Sequence, residues 1–358
     1  MKRIILTGGG TAGHVTPNLA LLPALYERHF EVRYIGSKAG MEKDLVAKAG
    51  VPYDGISTGK LRRYFDLKNF TDPFRVIKGF SEAKKLLKTN RPDVIFSKGG
   101  FVSVPVVLAA KQLKIPVIIH ESDMTPGLAN RISIPAASKV CCNFPETAKA
   151  LPKGKAVVTG CPIRRELLTG SREKGLAFTG LPGEKPTLLI IGGSLGSVAV
   201  NRAVRSVLPE LLKDFEVVHL CGKGNLDEML TGTPGYVQYE YISEELPDLF
   251  AMADVVISRA GANAICELLA LRKPNVLIPL SAAASRGDQI LNADSFRKQG
   301  FSEVIAEEEV TDETLLAKVR HVYEHRAAYI DSMATSSMDD AVTTIVKMLE
   351  DLAAGRSI

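Results

Sequence analysis

Tryptophan is absent, and aromatic residues make up only 6% of the 358 residues. A base-stacking surface has little to be built from, and at a net charge of +5 no nucleic-acid partner is expected. Cysteine is also sparse. Cys141, Cys142, Cys161, Cys221 and Cys266 form no C-x-x-C pair and sit in mostly apolar surroundings, which argues against a disulfide framework or a metal site and for a reducing cytoplasm. No apolar run reaches a membrane span. The opening MKRIILTGGG breaks off at its glycines, too soon for a signal peptide. A D-x-D motif is missing as well, so neither metal nor cofactor is expected.

What is present is a rhythm. Short Ile- and Val-rich runs such as RIILT, EVRYIG, DVIFS, IPVIIH, PTLLII, EVVHLC and DVVIS alternate with longer helical patterns, the mark of βα units on buried parallel sheets. Near residues 160–186 the chain turns polar, with Gly and Pro clustered towards the end, and then the opening design of strand, glycine loop and helix restarts at KPTLLIIGGSLGS. The expected fold is α/β, with two Rossmann-like, doubly wound domains facing across a cleft: residues 1–162 and 163–337. Val342, Ile345, Val346 and Leu349 have helical spacing, and a closing helix at about 338–358 is expected to return to the first domain.

Gly8, Gly10 and Gly13 give G-x-G-x-x-G directly after the first strand. A dinucleotide site also wants an acid about 20 residues on, at the end of the second strand. That strand ends YIGSK, without one. Phosphate binding by backbone amides remains, with Thr16 and Pro17 as N-cap and first helical residue; a tight ligand-free turn is the plainer alternative. His14 closes the loop near a helix N-terminus, which disfavours imidazolium and suits a neutral base, although a lone histidine there is more often a hydrogen-bonded loop residue. Two further glycine loops follow strands, SKGG with Gly99 and Gly100, and GGSLG with Gly192, Gly193, Ser194 and Gly196. Three such loops point to a phosphate-bearing ligand.

The segments GGGTAGHVTPNLAL, SKGGFVSVP, HESDMTPGLANR, TGCPIR, IIGGSLGS, SRAGANAICELLAL and DQILNA, in order over nearly the whole chain, resemble the MurG family, the UDP-N-acetylglucosamine transferases of bacterial peptidoglycan synthesis. The resemblance implies a glycosyltransferase B architecture and transfer of GlcNAc from UDP-GlcNAc to the C4 hydroxyl of MurNAc on undecaprenyl-diphospho-muramoyl-pentapeptide (lipid I), with inversion. It implies that Ser194 and its glycine loop hold the diphosphate, that Glu267 accepts the ribose hydroxyls, and that Gln289 reads the sugar hydroxyls. Arg164 would face the departing UDP, Ile242 the uracil, and Thr11, Ala12 and Gly13 the donor, with His14 beside them as base. Without the resemblance, Glu267 and Arg164 read as ordinary solvated residues.

The family often shows His-Glu-Gln-Asn where this chain has His120, Glu121, Ser122 and Asp123; Asp123 is a second candidate base. Phe101 stands where an aromatic hydroxyl is common. A lipid acceptor implies an anionic membrane surface as partner, a peripheral place on the cytoplasmic side of the cell membrane, and a possible cell-wall synthesis complex. Residues 60–88 hold nine Lys or Arg against three acids, with Tyr64, Phe65, Phe70, Phe74 and Phe80 interleaved, a composition suited to anionic lipid or to a solvated helix pair. Rival functions are a UDP-GlcNAc transferase or epimerase with another substrate, and a non-catalytic nucleotide-sugar binder.

Overall fold

The computed structural model describes residues 1–59, 68–193, 196–282, 287–336 and 340–358. The chain divides into two compact units, Met1–Arg164 with Asp340–Ile358, and Arg165–Asp339.

The first unit is a seven-stranded sheet of β1 Lys2–Thr7, β2 Phe30–Ser37, β3 Tyr53–Ile56, β4 Val94–Ser97, β5 Val117–Glu121, β6 Lys139–Cys142 and β7 Ala156–Val158, in the order β3-β2-β1-β4-β5-β6-β7. Every pairing is parallel. Strand side chains alternate between faces, and here both faces are buried: Ile4 and Leu6 join one core with Val94 and Phe96, while Ile5 joins the other with Ile35 and Ile95. That is why these strands read as unbroken apolar runs. The helix Ala341–Ala353 lays Ile345, Val346 and Leu349 on the first of these cores. Its Glu350 accepts from Lys2 at 2.5 Å and Arg28 at 2.6 Å, so the two chain ends meet in one unit.

The second unit repeats the plan with β8 Thr187–Ile191, β9 Glu216–Leu220, β10 Tyr236–Tyr239, β11 Ala253–Ser258, β12 Asn275–Leu277 and β13 Glu303–Val304, ordered β10-β9-β8-β11-β12-β13. Leu188, Ile190, Val217, Val255 and Ile257 form its core with Leu315, Val319 and Val322 of the helix Asp312–Glu324. In each sheet the strand order reverses beside the first strand, between β1 and β4 and between β8 and β11. Loops beyond the carboxyl ends of such strands are where open α/β sheets take ligands. All five cysteines are buried as free thiols. Among the described residues, no helix is long and apolar enough to cross a membrane.

Candidate active site

The first unit gathers three loops at the carboxyl edge of its sheet. After β1, Gly8–Gly10 lead into a tight turn at Ala12–His14 and then the helix Thr16–Ala20. Thr16 is not the N-cap expected from sequence: Val15 takes that place without a side-chain bond, because the preceding turn already has helical backbone, and Pro17 falls in the first turn. The loop is held from beneath. Buried Asn18 donates to the Thr7 carbonyl at 3.1 Å and to the Tyr34 hydroxyl at 3.0 Å, and Tyr34 donates to the Gly8 carbonyl at 2.9 Å.

The sequence shows no acid at the end of β2, but the fold brings one there. Glu42, fully buried on the helix Glu42–Lys48, accepts from the Ser37 amide at 2.9 Å, from the Ser37 hydroxyl, and from the Gly10 amide at 3.3 Å. Its carboxylate therefore serves the protein's own donors, and one amide of the opening loop is already occupied. The loop after β4 touches the opening loop directly: a Cβ on Gly100, at φ +81°, would lie 2.3 Å from the Gly9 carbonyl. Only glycine fits there.

Half-buried His14 places Nδ1 3.0 Å from the Thr11 hydroxyl. Burial, followed by the positive charge of Lys98, lowers its pKa to about 4, against a hydrogen bond with Gly9 that pulls the other way. Thr11 and Ala12 are exposed beside it and Gly13 is half-buried. At the end of β5, Glu121 is buried and its pKa is raised by that burial. It accepts from the Asp123 amide at 3.0 Å, the Gly127 amide at 3.1 Å and Asn130 Nδ2 at 2.9 Å. Three donors on one carboxylate fix the 122–127 loop that carries half-buried Asp123. His120 is a structural residue: fully buried, with Nε2 2.8 Å from the Gly160 carbonyl, it anchors the segment leading to Arg164. Arg164 is half-buried, with an Nε that is shielded from water and has no hydrogen-bond partner among the described residues.

In the second unit, a cavity of about 400 Å³ opens where β8 and β11 end. Gly192, Gly196, Ser197, Arg259, Ala264 and Gln289 are among the residues that line it. Ser194 lies outside the described residues. Gly196 makes the tight turn possible: at φ +75°, a Cβ would stand 2.0 Å from the Cys221 carbonyl. Ser197 caps the helix Val198–Ser206 by accepting from the Val200 amide. Sequence alone assigns no role to Arg259, although it stands in the SRAGANA motif. Its guanidinium donates to the Ser197 hydroxyl at 2.6 Å and to the Ile278 and Pro279 carbonyls at 3.1 and 3.2 Å, and it pairs with Glu307.

Gln289, on the helix Asp288–Lys298, accepts from the Leu280 amide at 3.0 Å. Its carbonyl end thus braces the cavity wall. Glu267 is half-buried on the helix Ala262–Ala270, three residues after the cavity-lining Ala264, and so on the same helical face. Ile242 is half-buried three residues beyond β10. Neither Glu267 nor Ile242 lines the cavity itself. No group of His, Cys, Asp or Glu among the described residues is arranged to hold a metal ion.

The two halves of the chain match two family descriptions. Residues 4–142 match the glycosyltransferase family 28 N-terminal domain, and residues 187–349 match the C-terminal domain of the same family. A protein of Lachnoclostridium phytofermentans is 64% identical over 98% of this chain and 99% of its own length. One from Lachnospira eligens is also 64% identical, with the same coverage. Both are named UDP-N-acetylglucosamine–N-acetylmuramyl-(pentapeptide) pyrophosphoryl-undecaprenol N-acetylglucosamine transferase. The crystal structure of MurG from Acinetobacter baumannii superposes with a TM-score of 0.77 at 26% identity, covering 98% of this chain and all of that one. With full-length relatives identical at nearly two positions in three, and both halves matched, this chain belongs to the MurG transferases of glycosyltransferase family 28.

Proposed function

We propose that the protein transfers N-acetylglucosamine from UDP-GlcNAc to the muramyl pentapeptide carried on pyrophosphoryl-undecaprenol, forming lipid II. The observation that carries the donor half of this reading is the second unit's cavity, where Gly192, Gly193, Gly196 and Ser197, the Arg259 clamp and the Gln289 amide meet. Glycine amides and a capped helix start suit a diphosphate, and an amide NH2 suits a sugar hydroxyl. In this reading Ser194 joins the diphosphate contacts, Glu267 takes the ribose diol, and Ile242 backs the uracil.

His14 takes the proton as the acceptor hydroxyl attacks the anomeric carbon. The new C–O bond forms as the bond to the UDP oxygen breaks, and the electron pair leaves with UDP. Thr11, Ala12 and Gly13 flank that base, and the unspent Nε–H of Arg164 is suited to the charge growing on the diphosphate. Asp123 is the alternative base. Its loop is rigid, because Glu121 holds the Asp123 amide and Thr147 donates to the Met124 carbonyl at 2.8 Å.

The residues from 60 to 88 are proposed as the membrane-facing segment, with the protein on the cytoplasmic face. Residues 60–67, including Tyr64 and Phe65, lie outside the described residues. The helix Lys68–Asn90 continues the segment, exposing Ile77 beside exposed Lys78, Lys85 and Lys88. Cations with an exposed aliphatic side chain fit an anionic interface. Charge reversal at Lys78, Lys85 and Lys88 is expected to abolish sedimentation with anionic vesicles at low salt; unchanged sedimentation would remove this part of the reading.

The deciding experiment incubates the protein with UDP-GlcNAc and a short-chain lipid I analogue, with and without chelator, and looks for the disaccharide product by mass spectrometry. Product in both arms is expected. UDP-GlcNAc binding without turnover would make the protein a nucleotide-sugar binder instead.

A further inference from the structure

Lys98 directly follows β4, and its side chain is only 1% exposed. Its amide donates to the Thr7 carbonyl at 2.9 Å, so it stands where β1 and β4 end together, at the reversal of strand order. Among the described residues, its ammonium makes one side-chain hydrogen bond, to the Ser122 hydroxyl just past β5. A buried cation with a single neutral partner is costly unless its charge is used.

The acids of this edge are committed elsewhere. Glu42 holds Ser37 and Gly10, and Glu121 holds the Asp123 and Gly127 amides and Asn130. Asp123 is the next charged residue along the loop from Ser122. On its other side Lys98 lies against Gly8. A Cβ on Gly8 would lie 2.5 Å from the His14 carbonyl and 3.4 Å from Lys98 Cβ, so the His14 main chain and the Lys98 side chain flank that glycine. The Lys98 charge acts on both His14 and His120.

We propose that Lys98 is a positioning residue of this active site: its buried ammonium, tied to Ser122, joins the opening glycine loop to the loop after β5 and supplies the positive charge against which His14 must accept a proton. The chemistry is simple. Beside a fixed cation the free imidazole stays neutral, and an arriving phosphate offsets that cation, so His14 becomes a better proton acceptor when anionic substrate is in place. The link to turnover rests on His14 being the base, and the charge coupling itself does not.

The test is an NMR titration of the histidine rings in the full-length protein, as wild type, Lys98→Met and Lys98→Arg, alongside pH profiles of kcat/KM. Methionine keeps the length and removes the buried charge without leaving a void, so this variant is expected to fold. The His14 midpoint should rise by about one pH unit in Lys98→Met and stay near wild type in Lys98→Arg, with the acid limb of kcat/KM moving in step. A midpoint that stays put in folded Lys98→Met overturns the proposal. So does a wild-type His14 titrating at its ordinary value, which needs no variant at all. A midpoint that moves while the rate limb does not would support the coupling and overturn His14 as base.

Discussion

The Arg259 guanidinium donates to the Ser197 hydroxyl at 2.6 Å, tying the end of β11 to the residue that caps the helix after β8. The bond spans 62 residues and fixes one wall of the proposed donor cavity. Arg259→Ala would release Ser197 and leave Glu307 without its cation. We expect a loss of about 2–3 kcal/mol of stability and at least tenfold weaker UDP-GlcNAc binding by calorimetry. Arg259→Lys cannot reproduce the fork of contacts to Ser197, Ile278 and Pro279 and should recover little of either. Wild-type affinity in Arg259→Ala would show that the clamp does not shape the cavity.

Two glycines of one loop separate backbone strain from steric exclusion. Gly193 (φ +94°) and Gly196 (φ +75°) both have left-handed backbone, but a Cβ at Gly193 meets nothing within 4 Å, whereas at Gly196 it meets the Cys221 carbonyl at 2.0 Å. Gly193→Ala should cost about 1 kcal/mol. Gly196→Ala forces the main chain apart and should cost several times that, with loss of donor binding. Equal unfolding midpoints for the two variants would contradict the packing of this turn.

The pH dependence of catalysis should differ between free and bound enzyme. His14, lowered to about 4 by burial and by Lys98, is unprotonated well below neutrality in the free protein. kcat/KM reports the free enzyme and kcat the complex, and bound phosphates raise the pKa of a neighbouring imidazole. The acid limb of kcat should therefore lie at higher pH than that of kcat/KM, and His14→Ala should lower kcat by at least a hundredfold. Superimposable limbs would remove the proposed effect of substrate on the base.

Stability should fall on mild acidification. His14 at about 4, His219 at about 3 and His120 well below its usual value are all depressed, with burial the first cause in each. Between about pH 6.5 and 4 the unfolded chain binds protons that the folded one refuses, so stability present above pH 6.5 is lost as pH falls, by about 1.4 kcal/mol per pH unit for each such histidine. The carboxylates with lowered pKa values, such as Glu82 and Glu350, act only at lower pH. Urea midpoints at pH 7, 6 and 5 separate the two contributions, and no change across that range would mean that the rings protonate inside the fold.

Much of this was written in local sequence. Runs such as RIILT and DVVIS became β1 and β11, and the spacing of Ile345, Val346 and Leu349 became the buried stripe of the last helix. β3 and β13 escaped, because YDGI and EV are short and carry no apolar run. At the site, glycine spacing marked Gly8–Gly10 and Gly192–Gly196, since a tight turn is a local requirement. Glu42, 32 residues from Gly10, and Arg259, 62 from Ser197, could not be read that way. A carboxylate or guanidinium that braces a distant loop leaves no period and no spacing. Lys98 and Arg259 did stand inside quoted motifs, and their charge between apolar strand ends and glycines was the available signal.

Because the first unit draws on both ends of the chain, ribosomal synthesis meets an ordering problem. All of Arg165–Asp339 is translated before Ile345, Val346 and Leu349 exist. Until that helix is made, the core around Leu6, Val94 and Phe96 lacks these three side chains and is covered only in part, by Val15, Leu21 and Leu25. The nascent protein thus carries an incompletely covered first half beside a second half whose sequence is already complete, the kind of exposed apolar surface that invites aggregation during elongation.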